Sequence, residues 1–152
     1  MSLKYAVLAA LLEGEASGYE LSKVFDVSPD KRMFTLTEAG RRDLRSFAVT
    51  PPRRPSAVRD ELLIKIQAMD GADPEATRAL VQEREAWSRG KLSRYQRVRE
   101  RLLAGHSEEE YLREADRIGP YLTLMGGIAF EEENLRWCAR VLTILKQRAP
   151  LG

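Results

Sequence analysis

Arg32-Met33-Phe34-Thr35-Leu36-Thr37-Glu38-Ala39-Gly40 is the stretch on which the fold turns. Its first half, Arg32 to Leu36, is short, rich in Phe, Thr and Met, and alternates well enough for a strand. Thr37 is a good helix N-cap, and the pattern predicts a helix from Glu38 to about Val49 with Leu44 and Phe47 directed inward. A lone strand is physically inconsistent, because its backbone N–H and C=O groups need a ladder partner. No second strand is legible nearby. Only Val27 to Lys31 separate this strand from the helical segment before it. That is too few for a helix, whose mean length is about 11–12 residues. The region is therefore either irregular or short of a segment between Ser28 and Lys31.

Working outward, Leu3, Val7, Leu8, Leu11 and Leu12 recur at helical spacing and stop at Glu13-Gly14. Ser17 with Glu20 three residues on forms a capping box, predicting a second helix with Leu21, Val24 and Phe25 on its apolar side. On the other flank, Thr50 to Pro55 holds three of the seven prolines and two arginines, a linker or sharp crossover. Everything beyond is helical. One helix runs from Ser56 through Leu62, Leu63, Ile66 and Met69. A second starts at Asp73-Pro74 and continues to about Ala104. After a Gly105-His106 turn, Ser107 and Glu110 repeat the capping box, opening a helix to about Arg148 that bends at Gly119-Pro120.

Composition excludes several classes. In 152 residues there are 25 Lys and Arg against 23 Asp and Glu, so neither a polycation nor an acidic tail is present, while a local basic patch for nucleic acid is still allowed. One Cys and one His cannot build a disulfide framework or a Cys/His zinc site, and no residue set calls for a metal or cofactor. Cys138 and His106 are too isolated to argue for a nucleophilic pair, and Cys138 fits a packed helix face. The longest apolar run, Tyr5 to Leu12, falls far short of the ~20 residues that span a bilayer, so the expectation is a cytoplasmic protein without membrane contact. Without a Gly-rich phosphate loop or a placed His–carboxylate pair, catalysis has no support.

Three pieces of the N-terminal part, in order, resemble the PadR-like family of bacterial winged helix-turn-helix transcription regulators. They are Met1-Ser2-Leu3-Lys4-Tyr5-Ala6-Val7-Leu8-Ala9-Ala10-Leu11-Leu12, Ala16-Ser17-Gly18-Tyr19-Glu20-Leu21 and Phe34-Thr35-Leu36-Thr37-Glu38-Ala39-Gly40. Arg59-Asp60-Glu61-Leu62-Leu63-Ile64-Lys65 and Gly127-Ile128-Ala129-Phe130 resemble the C-terminal extension of its virulence-activator-type members. The resemblance implies a mainly α fold: a winged helix-turn-helix DNA-binding domain over residues 1–55 and a long-helix dimerisation domain over residues 56–152. It also implies a DNA-binding transcriptional regulator, expected to be a repressor, bound to a palindromic operator as a homodimer. The family places a recognition helix and a first wing strand between the second helix and the Phe34 strand. Those elements, roughly 20–35 residues with their turns, have no counterpart here.

Within that frame the candidate DNA contacts are Ser17, Gly18 and Tyr19, at an expected helix N-terminus suited to phosphate, and Lys31 and Arg32 on the wing. An N-cap followed by Tyr, and charges at a strand end, are equally ordinary surface chemistry. The row Tyr121, Leu124, Ile128, Leu135, Leu142 and Leu145 is the candidate dimerisation face. Trp87, Tyr95 and Trp137, along with Tyr121, either line a pocket for a small aromatic effector or fill the core. The basic run Arg84, Arg89, Lys91, Arg94, Arg97, Arg99 and Arg101 reads as a solvated face, with pairing to Glu108-Glu109-Glu110 or an accessory DNA contact as the alternatives. From Ala57 onward there are 16 basic and 16 acidic residues, which favours internal or intersubunit pairing over DNA. The alternative to DNA binding is a helical protein–protein adaptor.

Overall fold

The computed structural model describes residues 3–13, 16–17, 33–52, 60–71 and 73–148. The chain divides into two compact units, Met1–Ala57 and Val58–Gly152.

In the first unit, α1 (Leu3–Ala10) passes into a 3-10 turn, Leu11–Glu13. Two short strands follow, β1 (Ala16–Ser17) and β2 (Met33–Phe34), and then α2 (Glu38–Val49). The strands pair antiparallel, Ala16 opposite Phe34 and Ser17 opposite Met33. The strand at Phe34 therefore has a partner, and it is the stretch read from sequence as a helix start. Ser17 is a strand residue, and the helix it was expected to cap lies outside the described residues. A two-residue strand is too short to show alternation, so this ladder partner was not legible in the sequence pattern. The expected second helix and the Ser28–Lys31 region lie outside the described residues.

The N-terminus of α2 forms as expected. The Thr37 hydroxyl accepts from the Gly40 N–H at 3.1 Å. The helix ends at Thr50, whose extended backbone (ψ 125°) is the conformation that a following proline, Pro51, enforces. Leu36 is buried, and Leu44 is half-buried. Phe47 is less enclosed than expected, at 47% exposed, because only one ring face is covered, by the parallel Tyr5 ring 4.0 Å away. Lys4 and Asp43, 2.7 Å apart, pin the same two helices at the surface.

The second unit is a helical assembly: α3 (Glu61–Gln67), a 3-10 turn at Met69–Gly71, α4 (Pro74–Leu103), α5 (Glu108–Glu114) and α6 (Gly119–Arg148). Described residues begin at Asp60, which caps α3, so the Ser56 start expected for this helix lies outside them. Asp73 caps α4 with Pro74 in its first turn, and Ala104 ends it in the left-handed region at φ 49°, followed by Gly105 at φ 89°. Ser107 and Glu110 form the reciprocal capping box of α5. The last helix is two helices, not one bent helix: α5 stops at Glu114 and α6 restarts at Gly119. Pro120 explains the break, since proline is tolerated in a first helical turn but would remove a bond and clash in an interior one.

The long helices α4 and α6, each 30 residues and about 45 Å, run antiparallel. Their shared core holds Val81, Ser88, Tyr121 and Cys138, all fully buried, with Thr77, Glu131 and Leu145 nearly so. At Gly127 the Tyr95 ring packs directly on the α6 backbone: a Cβ there would lie 3.1 Å from that ring. Burial pushes the Cys138 thiol pKa up, which keeps it protonated and makes it a small core residue.

Candidate nucleic-acid interface and ligand groove

The DNA-facing candidates divide between what the structure describes and what it does not. Ser17 lies on β1, paired with Met33. Gly18, Tyr19, Lys31 and Arg32 lie outside the described residues. Gly18 and Arg32 are the next residues in sequence beyond that pair.

The dimerisation candidates trace a stripe along α6 whose spacing, extended through Glu131 and Cys138, alternates threes and fours. Part of it is already used within the chain. Tyr121 and Leu145 are buried against the rest of the unit, while Leu124, Ile128, Leu135 and Leu142 are half-buried. The Tyr121 hydroxyl accepts from Arg99 Nε at 2.9 Å, and its ring lies 5.2 Å from that of Tyr111. Tyr121 and Leu145 are thus interior residues of this unit, a correction to their sequence-based assignment to a dimer face. The periodicity of a helix says that a face is covered, not which chain covers it. The apolar residues of α6 that stay open are Leu122 (52% exposed), Met125 (39%), Phe130 (58%) and Ile144 (45%).

Glu131 is the one acidic residue among the buried side chains of that seam, at 3% exposed. Lys91 lies 3.2 Å from its Oε1, and Asn134 Nδ2 donates to its Oε2 at 3.3 Å. Burial pushes its pKa upward, but the polar groups of Ser88, Asn134 and Lys91 outweigh that and hold it below the ordinary carboxylate value. Lys91 also sits 4.5 Å from the centroid of the Trp87 ring. No helical periodicity reveals this cluster; a Glu on an otherwise apolar stripe was the available signal.

The basic run of α4 is largely engaged within the unit. Arg84 is bidentate to Asp60 at 2.6 and 2.8 Å. Arg89 pairs with Glu85 at 2.8 Å and Arg99 with Glu108 at 2.5 Å. Arg97 donates to the Ser93 hydroxyl at 2.8 Å. The Glu108 contact is the pairing that the charge count favoured.

Between α3 and α4 lies an open groove of about 370 Å³. Leu62, Leu80 and Trp87 supply its apolar wall, and Asp60, Glu61, Lys65, Glu83 and Arg84 its polar one. Of the three aromatic residues proposed for an effector pocket, Trp87 lines this groove. Tyr95 does not, since it packs on Gly127 two turns further along α4, and Trp137 is half-buried on α6. Sequence reasoning missed Asp60, Glu83 and Arg84 as groove residues, because α3 and α4 meet only in three dimensions. Among the described residues no helix is long and apolar enough to cross a membrane.

Comparison with known proteins follows the same outline. Residues 58–146 match the family model described as virulence activator alpha C-term. The negative transcriptional regulator PadR of Bacillus subtilis is 24% identical, the alignment covering 94% of this chain and 97% of PadR. It spans 178 positions, so about 35 positions of the alignment face no residue in a chain of 152. The crystal structure of that PadR with operator DNA is similar at a TM-score of 0.71 and 22% identity, covering 94% of this chain and 98% of the other. Its complex with p-coumaric acid gives 0.69 and 23%, covering 95% and 98%. A two-stranded ladder in the first unit, a helical second unit and a family match over most of that unit converge: the chain belongs to the PadR-like regulators that carry a virulence activator alpha C-term domain.

Proposed function

We propose that this chain is a DNA-binding transcriptional repressor that works in the cytoplasm as a dimer on a near-palindromic operator, by binding rather than by catalysis. The observation that carries this is the union, in one chain, of the short antiparallel ladder with the helical extension, together with a fold similar to that of PadR crystallised on its operator. Ser17, Gly18, Tyr19, Lys31 and Arg32 hold phosphates. The open apolar residues of α6, Leu122, Met125, Phe130 and Ile144, form the dimer face, with Leu124, Ile128, Leu135 and Leu142 beneath it. Two recognition elements then meet one face of the duplex about 34–36 Å apart. The Trp87 groove takes a small aromatic effector.

The alignment positions without counterpart here are assigned to the recognition helix and first wing strand, between Ser28 and Lys31. Base reading belongs to that segment, and the 152-residue chain holds duplex DNA through phosphates. The same shortfall favours a second reading, a helical adaptor that does not bind DNA. A salt titration of duplex binding by fluorescence anisotropy separates the two. The repressor reading expects affinity to fall linearly in log–log form with salt. It expects Lys31→Gln with Arg32→Gln to flatten the slope by up to ~2, and Arg94→Gln with Arg97→Gln to leave it unchanged. No binding even at low salt would establish the adaptor.

A further inference from the structure

We infer that the groove between α3 and α4 takes an aromatic ligand that carries a positive charge. This rests on the reading of the Trp87 groove as a ligand site and names the class of molecule it accepts. The argument is a charge tally on named atoms. Three carboxylates face the groove, Asp60, Glu61 and Glu83, against two cations, Lys65 and Arg84. Both cations are matched: Arg84 by Asp60 at 2.6 and 2.8 Å, Lys65 by Glu61 at 2.8 Å. Glu83 has no hydrogen bond or ion pair among the described residues. An incoming anion would meet a carboxylate without a counter-charge, and two cations already matched. An incoming cation supplies the charge that Glu83 lacks.

Trp87 provides the second half of the site. It is 60% exposed, so most of an indole is left unburied at the groove wall. The ring already attracts one cation, the Lys91 ammonium 4.5 Å from its centroid, which shows how the same surface recognises another. Glu83 and Trp87 are four residues apart on α4, the spacing that makes side chains neighbours on one helix face. A ligand whose ring lies on the indole and Leu80 thus puts a short-tethered ammonium against the Glu83 carboxylate. The buried Leu62 closes the apolar side. An aromatic acid, such as the p-coumaric acid bound by Bacillus subtilis PadR, has the complementary ring and the opposite charge.

The test compares three probes of one shape and different charge at neutral pH: phenethylamine, phenethyl alcohol and hydrocinnamate. The chain has two tryptophans, so Trp137→Phe leaves Trp87 as the single emission reporter. The expected result is saturable change in emission with the amine, at an affinity about ten-fold above that for hydrocinnamate. Glu83→Gln, at an exposed position that the fold does not depend on, should weaken the amine about three- to five-fold and leave the alcohol unchanged. If Trp137→Phe fails to fold, the unmodified chain serves as reporter, and the amine response must vanish in Trp87→Phe. Binding of hydrocinnamate as tightly as the amine overturns the charge inference while keeping the groove as a ligand site. An amine affinity indifferent to Glu83→Gln overturns it likewise. No response to any of the three probes removes the groove as a ligand site altogether.

Discussion

Asp60 does two jobs at once, and separating them tests how the second unit is held. Its Oδ1 accepts from the Leu62 N–H at 3.0 Å, capping α3, and both its oxygens accept from Arg84, fastening α3 to α4. The two side chains are 21% and 20% exposed, enclosed enough for the pair to matter. Asp60→Asn keeps a good cap and loses the charge; Asp60→Ala loses both. A helix cap is worth about 1 kcal/mol, and a hydrogen-bonded charged pair about 1.5–3 kcal/mol. Asp60→Ala should therefore cost about 2.5–4 kcal/mol, and a domain of this size shifts its Tm by about 4–8 °C per kcal/mol. The Arg84 guanidinium, with a smaller contribution from the Leu62 N–H, holds the Asp60 carboxyl below its ordinary value of 3.8. A depressed folded-state pKa contributes stability that is full above the ordinary value and disappears as pH falls through the folded one. The advantage of the native chain over Asp60→Asn should thus be constant from pH 7 to about 5 and shrink below that. Thermal unfolding by circular dichroism, in a double-mutant cycle of Asp60→Asn with Arg84→Met, should give a coupling of at least about 1 kcal/mol. A coupling under about 0.5 kcal/mol, typical of exposed pairs, would refute the reasoning.

Two further outcomes follow from other parts of the molecule. Ala104 holds a left-handed conformation at φ 49° that glycine adopts without strain, so Ala104→Gly should stabilise the chain by about 0.5–1 kcal/mol, read as a rise in the denaturant midpoint at unchanged slope. Met125→Asp with Phe130→Asp places charge on the open face of α6, at 39% and 58% exposure; sedimentation should show a folded monomer, and a dimer that persists moves the interface elsewhere.

Local chemistry was legible directly. Thr37, Asp73-Pro74, Gly105 and the Ser107–Glu110 box marked helix ends because capping is a contact within a few residues of chain. The apolar stripe of α6 was visible for the same reason, as a period along one helix. The order of the N-terminal motifs by itself pointed to the winged-helix class. Ser17 shows where such reasoning stops. Its local pattern speaks only of capping, while the hydrogen-bond partners that a strand at Phe34 needs come from Ala16–Ser17, more than a dozen residues away. Tyr121 and Leu145 make the same point in the second unit. The sequence determined that they would be covered; the antiparallel docking of α6 on α4 decided that the cover comes from the same chain. The Trp87 groove is wholly tertiary, because Asp60 and Arg84 are 24 residues apart and become one ion pair only when α3 lies on α4. Capping and periodicity act over one or two turns and are written in the order of residues, whereas pairing of charges and strands depends on distances that only the packed chain sets.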